Sequence, residues 1–127
     1  MGQDKSKEKE MQVIIKAKEL SFYTLEITSN CKTYPKKFRF TLVDRMQRKS
    51  FDIYERLLEA NRARIENKVL RYDLQSNAIT YCEELLYYIE MSMRLNIITP
   101  KRAEYWSSLV SDVKHMTLAW RKRDKDR

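Results

Sequence analysis

One glycine and two prolines in 127 residues exclude most ways of folding this chain. A many-stranded sheet needs a turn signal about every 8–12 residues, and tight hairpins draw on glycine for positive φ. The sequence cannot supply them, so a few long elements joined by short connections remain. With 43% hydrophobic and 35% charged residues, the balance is that of a globular chain rather than a disordered one. Its length fits one domain with its own core.

Apolar residues recur at three- and four-residue steps in four segments, which is the helical period. Between Met11 and Cys31 the stripe is Val13, Ala17, Leu20, Thr24, Ile27 and Cys31. A second runs from about Lys37 to Asn61 through Val43, Met46, Ser50, Ile53, Leu57 and Ala60, and a connection is expected around Arg62 to Arg64. The third reads Ile65, Val69, Tyr72, Ser76, Ile79, Cys82, Leu86, Ile89 and Met93. Tyr81, Leu85, Tyr87, Tyr88, Met91 and Leu95 widen its apolar arc beyond what one bundle core requires, which points to subunit association. Thr99 followed by Pro100 is an N-cap with proline at the first helical position, and the fourth stripe follows as Ala103, Trp106, Val110, Val113 and Trp120. The expected fold is all-α, an antiparallel up-down-up-down four-helix bundle over residues 11–122. Residues 1–10 read as a disordered arm and 123–127 as a basic tail.

The segment from Asn30 to Ser50 departs from this regular pattern. Seven bases (Lys32, Lys36, Lys37, Arg39, Arg45, Arg48 and Lys49) face one acid, Asp44, so the stretch carries +6 of a formal +8 for the chain. Pro35 lacks an amide proton and disfavours a helical Tyr34, so one helix ends here and another starts. Acids stabilise the amino end of a helix, where the dipole is positive, yet this start carries bases. Bundle packing does not require that inversion, and an external polyanion explains it. The second basic group, Arg121, Lys122 and Arg123, ends the last helix, where bases suit the dipole in any case.

Catalytic chemistry finds little footing. A di-iron site in a bundle needs paired Glu-x-x-His motifs, and the chain has one histidine, His115, with Asp112 three residues before it. There is no glycine-rich phosphate loop and no nucleophile elbow. Neither catalytic residues nor a metal or cofactor are expected. No apolar run approaches the roughly 18 residues that span a bilayer, so no membrane partner is expected. Cys31 and Cys82 fall on apolar stripes and read as reduced, buried thiols of a cytoplasmic protein.

The motif YPKKFRF opening helix two, the aromatic third helix RYDLQSNAITYCEELLYYIEMSMRL, and ITPKRAEYWSSLVSDV followed by WRKR resemble a particular four-helix-bundle superfamily. It includes the accessory variability determinant proteins of diversity-generating retroelements and the proteins encoded in intervening sequences of bacterial 23S ribosomal RNA genes. The likeness extends from Lys16 to Arg123. Intervening-sequence proteins typically carry a segment like SIPSNIAEG in the second helix, where this chain has RKSFDIYERLLEAN, so the accessory proteins are the nearer resemblance. It implies a homopentamer, a basic surface that binds RNA or DNA mainly through phosphates, and association with a reverse transcriptase. The matching basic positions are Lys36, Lys37 and Arg39 and then Arg121 to Arg123. The competing expectation is an orphan bundle whose charge serves an acidic protein or an RNA partner.

Overall fold

The structure, a computed structural model, describes residues 2–127, with side chains from Lys7 onward. It is all-helical: α1 (Gly2–Ser29), α2 (Asp44–Arg62), α3 (Lys68–Arg94) and α4 (Pro100–Asp126). A 3₁₀ turn (Lys36–Phe38) and a π-helical turn (Arg39–Val43) lead into α2. Each helix packs against two neighbours in the cyclic order α1, α2, α3, α4, as in an up-down-up-down bundle. Long-range hydrogen bonds fix the antiparallel register. Gln47 Nε2, early in α2, donates to Thr28 Oγ1 at the end of α1 (2.9 Å), and Trp106 Nε1, early in α4, donates to Thr24 Oγ1 late in α1 (3.0 Å). No helix among the described residues is long and apolar enough to cross a membrane.

The second stripe is buried as its period requires: Met46, Ser50, Ile53, Leu57 and Ala60 all face the core. In α4, Thr99 accepts a bond from the Arg102 amide (3.2 Å), so the cap and Pro100 start the helix where the sequence places it. α1 buries Val13, Ala17, Leu20, Thr24 and Ile27, but Cys31 is exposed because α1 ends at Ser29 and the chain turns away before the next inward position. Only Cys82 is a buried thiol.

α3 departs most from the expected stripe. Its inward residues are Arg71, Gln75, Ala78, Cys82, Leu85, Ile89 and Ser92, with Ile79 beside them. Val69 and Tyr72 lie on the surface. The helix is rotated so that two polar side chains occupy the core at its amino end. Arg71 makes this possible by bonding Asp124 near the end of α4 and the carbonyls of Ala60 and Ala63, which α2 leaves unpaired where it stops. The bundle therefore extends past residue 122, and the stretch 123–127 is not a detached tail: α4 continues through Asp126 and Asp124 is buried. At the other terminus α1 already begins at Gly2, where local composition reads as a disordered arm. Glu10 is buried beside Arg71 (3.8 Å) and Arg127. Met1 lies outside the described residues.

Rotation of α3 also redistributes its apolar surplus. Leu85 is buried, and Tyr81, Tyr88 and Met91 pack half-buried against the core, leaving Tyr87 and Leu95 exposed near its carboxyl end. The longest unpartnered apolar row instead lies on α1. Met11, Ile15, Phe22 and Leu25 are exposed at helical spacing, on the face opposite Val13, Ala17 and Leu20.

Candidate nucleic-acid interface

The basic segment is built by a chain reversal. Asn30 accepts bonds from the Thr33 and Tyr34 amides through its carbonyl (3.0 and 2.9 Å) and from the Lys32 amide through its side chain (2.9 Å). These bonds take over from the ended helix. Tyr34 then enters the core and Pro35, at φ −59° and ψ 151°, holds the chain extended before the 3₁₀ turn. Tyr34, Phe38, Leu42 and Met46 follow at four-residue steps and all pack inward. An inward residue every four positions suits a turn wider than that of an α-helix, and the π turn at Arg39–Val43 supplies one. The aromatics of the motif thus divide: Tyr34 and Phe38 seal the bundle end, whereas Phe40 is 79% exposed.

The ten basic residues picked out in the sequence do not form one surface. Lys32, Lys36, Lys37 and Arg39 are exposed at the end of the bundle where α1 stops and α4 starts. Among the described residues no acid pairs with any of the four; Lys37 lies over the Phe38 ring (5.2 Å). Further along α2 the charges have internal partners. Arg45 donates to the Tyr88 hydroxyl (3.3 Å), Arg48 pairs with Asp44 (2.9 Å), and Lys49 pairs with Glu84 (3.1 Å) while lying over the Tyr81 ring. Arg121, Lys122 and Arg123 sit at the opposite end, about 30 Å along α4 from Pro100 at 1.5 Å per residue. Arg121 is held by Ser76 (2.8 Å) and the Tyr72 ring, Lys122 is exposed, and Arg123 is half-buried. The antiparallel topology separates what the charge pattern alone had grouped.

It also brings in two bases that the charge pattern of Asn30 to Ser50 does not include. Lys101 and Arg102 stand in the first turn of α4, which holds no acid, and both are exposed. Arg102 reaches Thr33 Oγ1 (3.5 Å), joining the start of α4 to the basic loop. Glu26 shares a shallow cleft with Arg102 without forming an ion pair. The signal was available: the first turn of helix four holds bases and no acid, against the dipole preference. One end of the bundle therefore carries Lys32, Lys36, Lys37, Arg39, Lys101 and Arg102 around two helix starts, whose dipoles add positive potential. Such a surface attracts polyanions and offers many donors to phosphate oxygens.

No protein-family model matches this sequence, and neither does any curated protein. Among solved structures, the chain is similar to the crystal structure of a protein of unknown function from the S23 ribosomal protein family of Bacteroides thetaiotaomicron VPI-5482, with a TM-score of 0.81 and 17% identity over 90% of this chain and 98% of that one. At that identity the likeness is one of fold, and it extends to nearly the whole four-helix bundle.

Proposed function

We propose that this chain is a non-catalytic, nucleic-acid-binding accessory protein that assembles into a homo-oligomer and serves the reverse transcriptase of a diversity-generating retroelement. The basic end carries the proposal. Lys32, Lys36, Lys37 and Arg39 are exposed without acidic partners, around helix starts that ordinarily favour acids. Few Asn or Gln side chains suited to bidentate base contacts accompany them, so phosphates supply most of the binding and sequence preference is weak. The reverse transcriptase and the pentameric state come from the family resemblance of the YPKKFRF and ITPKRAEYW segments.

The test is the triple substitution of Lys36, Lys37 and Arg39 by Gln, measured on one RNA at two salt concentrations. Binding should weaken for unrelated sequences alike. The slope of log affinity against log salt should fall by about 0.7–0.9 for each phosphate no longer neutralised. Equal affinities and slopes would reduce this end to solvated surface. The retroelement assignment has its own test, a reverse transcriptase gene beside paired template and variable repeats.

A second reading is favoured by the fold shared with the S23 family protein. Here the chain is an orphan bundle of the intervening-sequence type with an RNA or acidic protein partner. It predicts the same salt dependence without a neighbouring reverse transcriptase gene.

A further inference from the structure

Beside the unpaired bases lies a cleft of about 390 Å³, between the end of α1 and the π turn. That volume is within the roughly 300–1,000 Å³ of small-ligand sites. Leu25, Val43 and Phe40 are among its apolar lining, Lys36 and Arg39 supply cations, and its one acid, Asp44, is paired with Arg48. Phe40 has no packing role that accounts for its place: at 79% it is the most exposed large hydrophobic residue among those described. Its two aromatic neighbours in the motif, Tyr34 and Phe38, both pack against the core. An outward phenyl ring that shares a cleft with two cations suits an unstacked base and its phosphates.

We propose that this cleft takes one splayed nucleotide of a single-stranded nucleic acid, its base stacked on Phe40 and its phosphates on Lys36 and Arg39. The inference rests on the reading of this end as nucleic-acid-binding and adds a preference for single strands that charge alone does not give. In a duplex the base faces are occupied by their neighbours, so only the phosphate contacts are available there. The ring itself supplies no hydrogen bond, so the stack does not depend on which base is bound.

The experiment compares wild type, Phe40→Ala and Phe40→Trp on oligouridylate and on the oligouridylate–oligoadenylate duplex of equal length. Because Phe40 is exposed, neither substitution disturbs the core. Phe40→Ala should weaken single-strand binding by about ten-fold, within the range of removing one base stack. It should leave duplex binding and both salt slopes unchanged, since no charge is removed. Phe40→Trp should restore single-strand affinity. Its emission should be quenched by oligouridylate more strongly than that of wild type, whose two tryptophans, Trp106 and Trp120, are buried. Unchanged single-strand affinity in Phe40→Ala, alongside loss of binding in the Lys36, Lys37 and Arg39 substitution, would overturn this site and leave the wider proposal standing. A smaller sedimenting mass for Phe40→Ala would also overturn it, by assigning the ring to a contact with a second copy of the chain.

Discussion

Arg71 and Asp124 form a bidentate, buried ion pair, with Nε to Oδ2 at 2.9 Å and Nη2 to Oδ1 at 3.1 Å, joining the start of α3 to the end of α4. Gln75 Nε2 donates to the same carboxylate (2.8 Å), so Asp124 neutralises one buried cation and accepts from one buried amide nitrogen. Removing one partner of a buried pair costs about 3–5 kcal/mol, and without Asp124 the Arg71 guanidinium keeps, among the described residues, only the longer contact to Glu10 (3.8 Å) as an ion pair. Asp124→Ala should lower the urea midpoint accordingly. Truncation after Trp120 should do at least as much, so deletion of the last residues does not isolate a nucleic-acid contribution. Replacing Arg71 by Met and Asp124 by Leu together should recover only part of the loss, because the Ala60 and Ala63 carbonyls and Gln75 Nε2 also lose their partners. An additive double variant would show that the two residues act separately.

Stability should fall in alkali. Burial pushes the Cys82 thiol from 9.0 up to about 12, against the opposing charge of Lys114. Burial likewise pushes the Tyr34 phenol from 10.0 up to about 12, against the Ser92 hydroxyl. Both groups keep their protons in the folded chain at a pH where the unfolded chain has lost them. Their contribution is complete below about pH 9 and is lost as pH rises toward 12, at up to about 1.4 kcal/mol per pH unit for each group. Urea unfolding at a series of alkaline pH values should show a shallower decline in the Cys82→Ala, Tyr34→Phe double variant than in wild type.

The two basic clusters should behave differently. Lys101→Gln with Arg102→Gln should weaken RNA binding further when added to the Lys36, Lys37 and Arg39 substitution, with a further drop in salt slope. Lys122→Gln, at the far end of α4, should leave both nearly unchanged on an RNA too short to bridge the bundle. Anisotropy titrations at two salt concentrations separate the cases, and equal losses from both ends would mean that the whole surface binds diffusely.

Assembly should depend on α1. If subunits associate through the exposed row of Met11, Ile15 and Phe22, clear of the cleft that Leu25 lines, then Ile15→Glu with Phe22→Glu places charge in an apolar contact. Sedimentation should shift toward the 15.4 kDa monomer. Far-UV circular dichroism should stay constant, because neither side chain is in the core. A wild-type chain that sediments as a monomer at all concentrations would remove the oligomer from the proposal.

The number of helices, the inward face of α2 and the start of α4 at Thr99 and Pro100 were legible in the amino-acid order. They depend on period, turn scarcity and capping, which act within one segment. The excess of bases between Lys32 and Arg39 was legible for the same reason, although they precede α2 in the 3₁₀ and π turns and the first turn of α2 itself holds Asp44. The rotation of α3 was not, because burying Arg71 is favourable only when Asp124 arrives from another helix, 53 residues away. Nor could sequence proximity show that Arg121 to Arg123 stand far from Lys36, Lys37 and Arg39 while Lys101 and Arg102 stand near them. Antiparallel packing decides that, by placing the end of α1 and the start of α4 at one pole and the end of α4 at the other. Local order along the chain sets which segments are helices and where charge is in excess, because period and capping act within a segment; packing between helices sets which charges are consumed inside the bundle and which remain free to meet a ligand.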